Sequence, residues 1–496
     1  MTADLLRAPG IGVFLRWRHA RTFMQGSLLL IAGLVILDGL FGPRLAPRNL
    51  AGVLPWLHWR GFVVFALLVF GNAFCMACPF MLPRRAAKRW LPGAAHWPRA
   101  LRSKWLAAAI LVVFFWAYEA FDLWESPWLT AWLAVSYFVA AFLVDGFFRG
   151  AAFCKHLCPI GQFHFVHSTL SPVEIGVRDG ALCEACHTKE CISGRTDRSA
   201  PLPVLAPSDP SLRPGNDRGS GAQVQRGCEL WLFQQKKKGN MDCTFCLECV
   251  HACPHGNVGV LLRQPAEELW TDPLRSSLGR FSQRPDLAFL ALVLVFAAFL
   301  NAFGMVAPVY ATLDWISATF GITSEPARVA VVMVGGTVVL PLLLAGLAAL
   351  ASRALSGSNR SLVSEATRYV YGLIPLGFGM WLAHHLFHFL LGALTLVPLI
   401  ASYSMDLGLL PAAPVDWGVG PLVPEAWLGA VEFFFVELGL LVSLVVLWRI
   451  AHRDPGSPAA ARRAFVPWAA LALVLSLAGL WLLSQPMEMR GTMMGG

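Results

Sequence analysis

Long runs of apolar residues alternate with polar segments along the chain. Nine of these runs are long enough, or nearly so, to cross about 30 Å of hydrocarbon as a helix. They cover residues 27–41, 57–74, 105–122, 128–148, 286–307, 327–352, 370–400, 427–449 and 466–484. The pattern predicts an all-α polytopic membrane protein of about nine transmembrane helices.

The composition agrees with a bilayer environment. Hydrophobic residues make up 56% of the 496 residues and charged residues only 14%, whereas soluble domains are about a quarter charged. The formal net charge is +9, but Lys and Arg flank the apolar runs, where they anchor topology. We therefore expect contact with membrane lipid and no nucleic-acid partner. The oligomeric state is left open.

The distribution of positive charge predicts an orientation. Cytoplasmic loops carry the excess of Lys and Arg. Such charges precede the first run and fill the loop after the second: Arg16, Arg18, Arg21, Arg84, Arg85, Lys88, Arg89, Arg99, Arg102 and Lys104. The loops on the opposite side carry acidic residues and almost no Lys or Arg. The loop with Arg44, Arg48 and Arg60 is an exception. We expect a multi-pass protein of a bacterial-type inner membrane, with the N-terminus inside and the C-terminus outside.

Three segments follow from this pattern. Residues 1–148 form a four-helix membrane region, residues 149–285 a cytoplasmic polar insert, and residues 286–496 a five-helix membrane region. The insert contains ten of the twelve cysteines, and we call the eight between residues 183 and 253 the insert cysteines. Its stretch 193–227 is rich in Pro, Gly, Ser and Asp, which predicts a flexible loop.

The strongest motif is Cys243-x-x-Cys246-x-x-Cys249-x-x-x-Cys253-Pro254, which is typical of 4Fe-4S ligation. Upstream thiols are Cys183, Cys186, Cys191 and Cys228. The crossed ligation usual in two-cluster ferredoxins predicts one cluster on Cys183, Cys186, Cys191 and Cys253, and another on Cys243, Cys246, Cys249 and Cys228. The insert would be a small α+β ferredoxin-like segment. Cys183-x-x-Cys186-His187 also matches a c-type haem attachment site, although such haem is attached outside the cytoplasm.

A repeat places two further cysteine pairs after membrane hairpins. Gly71-Asn72-Ala73-Phe74-Cys75-x-x-Cys78-Pro79 parallels Gly150-Ala151-Ala152-Phe153-Cys154-x-x-x-Cys158-Pro159. We refer to these as the Cys-Pro motifs. Three interpretations are open: joint ligation of a third iron-sulfur cluster or of copper, a dithiol–disulfide couple, or inert packing.

The C-terminal region offers candidate sites of its own. Ionisable residues inside a bilayer are costly, so a functional role is expected for His384, His385, His388, Glu432 and Glu437. One interpretation is a quinone or proton site. The alternatives are hydrogen bonding between helices and a metal or haem site shared with another subunit. The tail residues Met487, Met489, Met493 and Met494 are candidate copper ligands, or a terminus without function.

The combination of Cys-Pro hairpins and a following two-cluster segment, over residues 57–262, resembles the membrane polyferredoxins. This group includes the NapH-type quinol dehydrogenase component, the iron-sulfur half of NosR and NirI, and the accessory protein of cbb3 oxidase assembly. The resemblance implies the Cys-Pro cysteines and the eight insert cysteines as functional residues. Cys75-x-x-Cys78 is one residue shorter than the usual spacing of the group.

The resulting hypothesis is a membrane-bound iron-sulfur electron-transfer protein. It would pass electrons between a quinol or cytoplasmic donor and a respiratory reductase or maturation partner, as a subunit of an oxidoreductase system such as a quinol dehydrogenase. Two alternatives are a copper-reducing or metal-handling assembly factor and a redox-sensing regulator.

Overall fold

The computed structural model describes residues 3–93, 95–197, 222–453 and 456–486. The structure is 70% helical, and the strands among its described residues form only small two-stranded sheets. Within the described residues, eight helices are long and apolar enough to cross a membrane, and a shorter apolar helix of 16 residues completes the set. We number these apolar helices 1 to 9: Ala20–Phe41, Leu50–Phe70, Trp105–Ala120, Pro127–Phe147, Pro285–Phe303, Glu325–Ser356, Leu362–Asp406, Glu425–Ala451 and Pro458–Leu483. The prediction of an all-α polytopic membrane protein is confirmed.

Shorter elements connect these helices. The short α-helices are Ile11–Arg16, Ala73–Ala77, Leu82–Trp90, Pro159–His167, Gly180–Ala185, Glu190–Ser193, Glu248–Ala252, Glu267–Thr271 and Pro308–Phe320. The strands are β1 (Val173–Val177), β2 (Arg195–Asp197), β3 (Ala222–Gln225) and β4 (Val258–Leu262).

Local sequence explains where several long helices begin and end. Helix 9 begins after Ser457, whose hydroxyl accepts a hydrogen bond from the amide of Ala460 at 3.1 Å, and Pro458 occupies its first turn. Helix 6 ends at Gly357, which adopts the left-handed conformation with φ of 71°. Such signals are local, so they can be read from the sequence.

Helix 2 differs from its apolar run. It begins at Leu50 rather than near residue 57, and it includes a π-helical turn at Leu54–Trp59, with Pro55 in that turn. Arg60, which the charge pattern assigns to an outer loop, therefore lies inside the helix.

The chain folds into two compact units, each of which draws on segments that are distant in sequence. The first comprises residues 1–32, 66–107 and 136–281, and the second comprises 33–65, 108–135 and 282–496. The division into segments 1–148, 149–285 and 286–496 remains a prediction.

The first unit contains the polar insert. Strands β1 and β4 pair antiparallel, from Val173 opposite Leu262 to Val177 opposite Val258. Strand β1 precedes Cys183, the first of the eight insert cysteines, and β4 follows Cys253, the last of them. Their pairing therefore brings the two ends of this cysteine-containing segment together. Ile175 and Val260 point from these strands into a core that also contains Leu232 and Phe245.

The second unit is built around helix 5. Leu290, Val293 and Leu294 are fully buried, and the indole of Trp381 in helix 7 donates to the carbonyl of Leu294 at 2.9 Å. Helices 7 and 8 approach closely, since Gly379 and Gly439 leave no room for a side chain between them.

Candidate functional site

Four cysteines of the insert line one recess: Cys183, Cys186, Cys191 and Cys253. Cys183 lies in helix Gly180–Ala185, which Asp179 caps by accepting a hydrogen bond from the amide of Ala181 at 2.9 Å. Cys253 is the last thiol of the motif that begins at Cys243, and it directly follows helix Glu248–Ala252. This thiol therefore lies with the three upstream thiols and not with the other thiols of its own motif.

Backbone amides point at these sulfurs. The amide of Asn257 donates to Sγ of Cys253 at 3.2 Å, and the amide of Lys189 donates to Cys186. Lys189 has φ of 51°, a left-handed conformation. Burial raises the pKa of the Cys186 thiol, but the hydrogen bonds from Lys189 and Thr188, together with the charge of Lys189, outweigh it and the net pKa is lowered. They favour the thiolate, which is the form that ligates iron.

The other four cysteines of the insert form a second group, buried throughout: Cys228, Cys243, Cys246 and Cys249. Burial raises the pKa of Cys249 well above its ordinary value, and negative charge on the other three would raise it further. The four sulfurs are therefore close to one another. Thiols in such surroundings keep their protons until a metal centre replaces them.

The loop that carries three of these cysteines has an uncommon backbone. Asp242, Phe245 and Leu247 all have positive φ, at 59°, 54° and 59°. Non-glycine residues seldom adopt this conformation, and it concentrates at functional sites. Left-handed residues interspersed in a turn direct successive N–H groups toward one concave side, which suits an anionic group.

A buried ion network surrounds the second group. The terminal nitrogens Nη1 and Nη2 of Arg21 each lie 2.9 Å from a carboxylate oxygen of Glu229, and Arg84 approaches the same carboxylate at 2.5 Å. Arg21 also reaches Glu248 at 3.0 Å. Burial alone would raise the pKa of Glu229, but the two arginines hold it well below its ordinary value. Fixed charges of both signs thus lie beside Cys228 and Cys246.

A second buried pair supports the same loop. Nζ of Lys104 donates to Asp242 at 2.7 Å and to the side-chain oxygen of Gln162 at 2.9 Å. Lys104 and Asp242 are both almost inaccessible to solvent. Asp242 directly precedes Cys243, so this contact orients the start of the loop.

The two Cys-Pro motifs have the same local geometry. Cys78 and Cys158 have nearly equal backbone angles, with φ of -57° and -59°, and each is followed by a proline that begins a helical turn. Each sulfur accepts backbone hydrogen bonds from that turn, as in the 3.2 Å contact from the amide of Gly161 to Cys158. The repeat seen in the sequence is also a repeat in conformation.

The histidines of helix 7 form a group in the second unit. The rings of His384 and His388 are 4.7 Å apart, and the ring of His385 stacks on Trp381 at 5.2 Å. His384 is buried, and neither of its ring nitrogens has a hydrogen-bond partner in the described part of the chain.

The predicted carboxylates lie on helix 8. Glu432 is buried, and its Oε1 has no partner within the described residues. Glu437 is exposed and accepts a hydrogen bond from Ser476 at 3.4 Å. The predicted copper ligands Met487, Met489, Met493 and Met494 lie outside the described residues.

Arg60 is a neighbour of the histidines that the sequence interpretation missed. Its guanidinium lies 4.6 Å from the ring centre of Trp56 and 4.4 Å from that of Tyr118, and its charge acts on His388. The signal for it was present as an arginine within an apolar helix. The apolar run 57–74 begins only three residues before Arg60, so this arginine resembles a charge of the preceding loop.

In the parts of the chain that the structure describes, no three Cys, His, Asp or Glu side chains are arranged to hold a single metal ion. A 4Fe-4S cluster has a different requirement, because each thiolate binds a separate iron. The two insert groups offer four sulfurs each, with backbone N–H donors on several of them, and this donor set fits such a cluster.

Comparison with known proteins gives one partial match. The chain is similar to the methylamine utilization ferredoxin-type protein MauN of Paracoccus denitrificans (strain Pd 1222), with 26% identity over 227 residues. The match covers 41% of this chain and 74% of that protein. No protein-family model and no solved structure matches.

Proposed function

We propose that this chain is a membrane-bound iron-sulfur protein that transfers electrons. One 4Fe-4S cluster would be held by Cys183, Cys186, Cys191 and Cys253, and a second by Cys228, Cys243, Cys246 and Cys249. The observation that carries the proposal is that these eight thiols lie in two groups of four. Cys253 belongs in sequence to the motif that begins at Cys243, but it lies with the upstream thiols. A disulfide scaffold would pair the thiols, whereas all eight are free.

The similarity to MauN supports the proposal at a coarse level, since that protein is named as ferredoxin-type. The clusters would supply one-electron chemistry. The protein's own contribution is to hold the sulfurs, to direct amides such as that of Asn257 at them, and to keep buried charges beside them. These are the features that set a reduction potential.

We place the clusters on the cytoplasmic side of a bacterial-type inner membrane. Lys and Arg concentrate in the loops on the side of the insert, and cytoplasmic loops are the ones enriched in these residues. The partners would then be electron donors and acceptors of a respiratory chain. This side of the membrane also keeps thiols reduced, as iron ligation requires.

A quinol is the donor that the second unit favours. Arg60, His384 and His388 supply a cation and unsatisfied ring nitrogens between apolar helices. A quinol that gives up two electrons also releases two protons, which the ring nitrogens could accept. The roles predicted for Glu432 and Glu437 remain predictions.

The test is anaerobic iron and acid-labile sulfide analysis with low-temperature EPR on the purified full-length protein and on Cys243→Ser. We expect the variant to lose about four irons and one reduced-cluster signal. Thr244→Val serves as the matched control, because Thr244 lies in the same loop, is buried and has a hydroxyl without a partner in the described residues. A wild-type protein with fewer than about four irons, or equal losses in both variants, would contradict the assignment.

A further inference from the structure

We propose that the two Cys-Pro motifs together bind a third iron-sulfur cluster, on Cys75, Cys78, Cys154 and Cys158, beside the second group of insert cysteines. This inference rests on the proposed electron-transfer function, and it adds a site at which that function can begin or end.

Direct contacts join the two motifs. Sγ of Cys154 lies 3.1 Å from Sδ of Met81, which lies three residues after Cys78. The ring of Phe74, beside Cys75, lies 5.0 Å from that of His164, in the helix that follows Cys158. The pairs are therefore parts of one site.

Tyr137 of helix 4 lies between the motifs. Its ring is 5.3 Å from Phe80, which follows the first Cys-Pro pair, and 6.1 Å from Phe153, which precedes the second. The residue is only 9% exposed, and its hydroxyl has no partner within the described residues. A buried donor of this kind calls for an acceptor, and the sulfurs of a cluster between the motifs would supply one.

The four thiols are also shielded from water. Cys75 and Cys158 are buried, and Cys78 and Cys154 are partly buried against the core that contains Cys243. The site therefore lies against the core that holds the second insert group.

The donor set favours iron-sulfur ligation. Four sulfurs supplied in pairs by two similar turns, with amide donors on Cys78 and Cys158, repeat the pattern of the two insert groups. Copper(I) would also accept soft ligands, and the thioether of Met81 would be one. The experiment below separates the two metals.

Each motif holds the loop of the second insert group. The side-chain amide of Asn72 donates to the carbonyl of Cys243 at 2.5 Å, and the amide of Ala151 donates to the carbonyl of Glu229, next to Cys228, at 3.1 Å. Gly71 and Gly150 have positive φ, and a Cβ on either would collide with Phe245 or Glu229 respectively. The third site therefore adjoins the second group through backbone contacts.

This placement defines an electron-transfer step. With both clusters bound, one electron would pass from the third site to the second, so that the third would be oxidised by one electron and the second reduced by one. No bond forms or breaks.

The experiment uses full-length protein purified without oxygen, in the wild type and in the double variant Cys75→Ser/Cys158→Ser. Iron, sulfide and copper are measured together with EPR of the dithionite-reduced state. We expect about twelve irons in the wild type and about eight in the variant. The variant should keep the EPR signals of both insert clusters and lose the spin coupling that the third cluster would cause. Met76→Leu is the matched control, because Met76 is buried and lies between Cys75 and Cys78 in the chain.

Other outcomes overturn the inference. About eight irons in the wild type would remove the third cluster and leave the proposed function intact, whereas absence of iron would remove both. Bound copper that disappears in Met81→Leu would identify a copper site instead. If the double variant does not fold, the wild-type iron count and the number of interacting EPR signals still decide.

Discussion

The side-chain amide of Asn72 lies 2.5 Å from the backbone carbonyl oxygen of Cys243, and both groups are buried. Asn72 belongs to the first Cys-Pro motif and lies three residues before Cys75, while Cys243 opens the strongest cysteine motif of the insert. One hydrogen bond therefore joins two parts of the chain that are 171 residues apart.

Replacement of Asn72 by alanine should destabilise this connection. The carbonyl of Cys243 would lose a buried donor, at a cost of about 1–3 kcal/mol. We expect a lower apparent melting temperature in detergent and partial loss of iron. Asn359→Ala provides the control, because Asn359 is exposed and its replacement should leave both quantities within error. A normal iron content in Asn72→Ala would show that the contact does not hold the loop.

Lys104 and Asp242 should behave as a coupled pair. Loss of one partner leaves a buried charge without its counterion, so Lys104→Met and Asp242→Asn should each destabilise the protein by about 3–5 kcal/mol. The double variant should cost less than the sum, because neither charge remains. Melting temperatures of all three variants measure this coupling, and simple additivity would argue against a direct interaction.

Gly150→Ala should disrupt the second Cys-Pro motif. Gly150 has φ of 73°, and a Cβ would lie 2.7 Å from the carbonyl oxygen of Glu229. Gly256 also has positive φ, at 56°, but open space surrounds its Cβ position. Gly256→Ala should therefore show only the backbone cost of about 1–2 kcal/mol, and Gly150→Ala a larger loss of stability. Equal melting temperatures would show that the close contact is relieved at no cost.

His164 should make stability depend on pH. Burial, with a contribution from the charge of His167, lowers the pKa of His164 from 6.5 to about 3. Below pH 6.5 the unfolded chain binds a proton that the folded chain does not, so stability falls as the pH decreases, by about 1.4 kcal/mol per pH unit. Melting temperatures between pH 7 and pH 5.5 should fall less steeply in His164→Gln than in the wild type. A slope in His164→Gln as steep as that of the wild type would contradict the prediction.

Glu229 should influence the potential of the second cluster. Its carboxylate lies beside Cys228 and Cys246, and a negative charge there opposes reduction. Glu229→Gln should raise the midpoint potential, by roughly tens of millivolts, in an EPR-monitored titration. Glu267→Gln is the control, because Glu267 is exposed on the short helix Glu267–Thr271, whereas the side chain of Glu229 is buried in a turn. A shift of the same size in both variants would mean that Glu229 has no specific influence.

Some features of the protein follow from sequence alone because they depend on neighbours along the chain. All nine apolar runs are helices, since a segment without water must satisfy its own backbone hydrogen bonds. The repeat of Gly71 and Gly150 also recurs as positive φ at both positions, a conformation that glycine adopts without strain.

Other features required the tertiary structure. The sequence shows Arg21, Arg84 and Lys104 as topological charges of the loops, whereas the structure turns all three inward to Glu229 and Asp242. Partners more than a hundred residues away cannot be read from a local pattern, because only the fold decides which charges are removed from water together. For the same reason, the sequence left the two Cys-Pro pairs with three interpretations. The contacts of Met81 and Tyr137, which lie across the motifs, support our proposal that the pairs form one site.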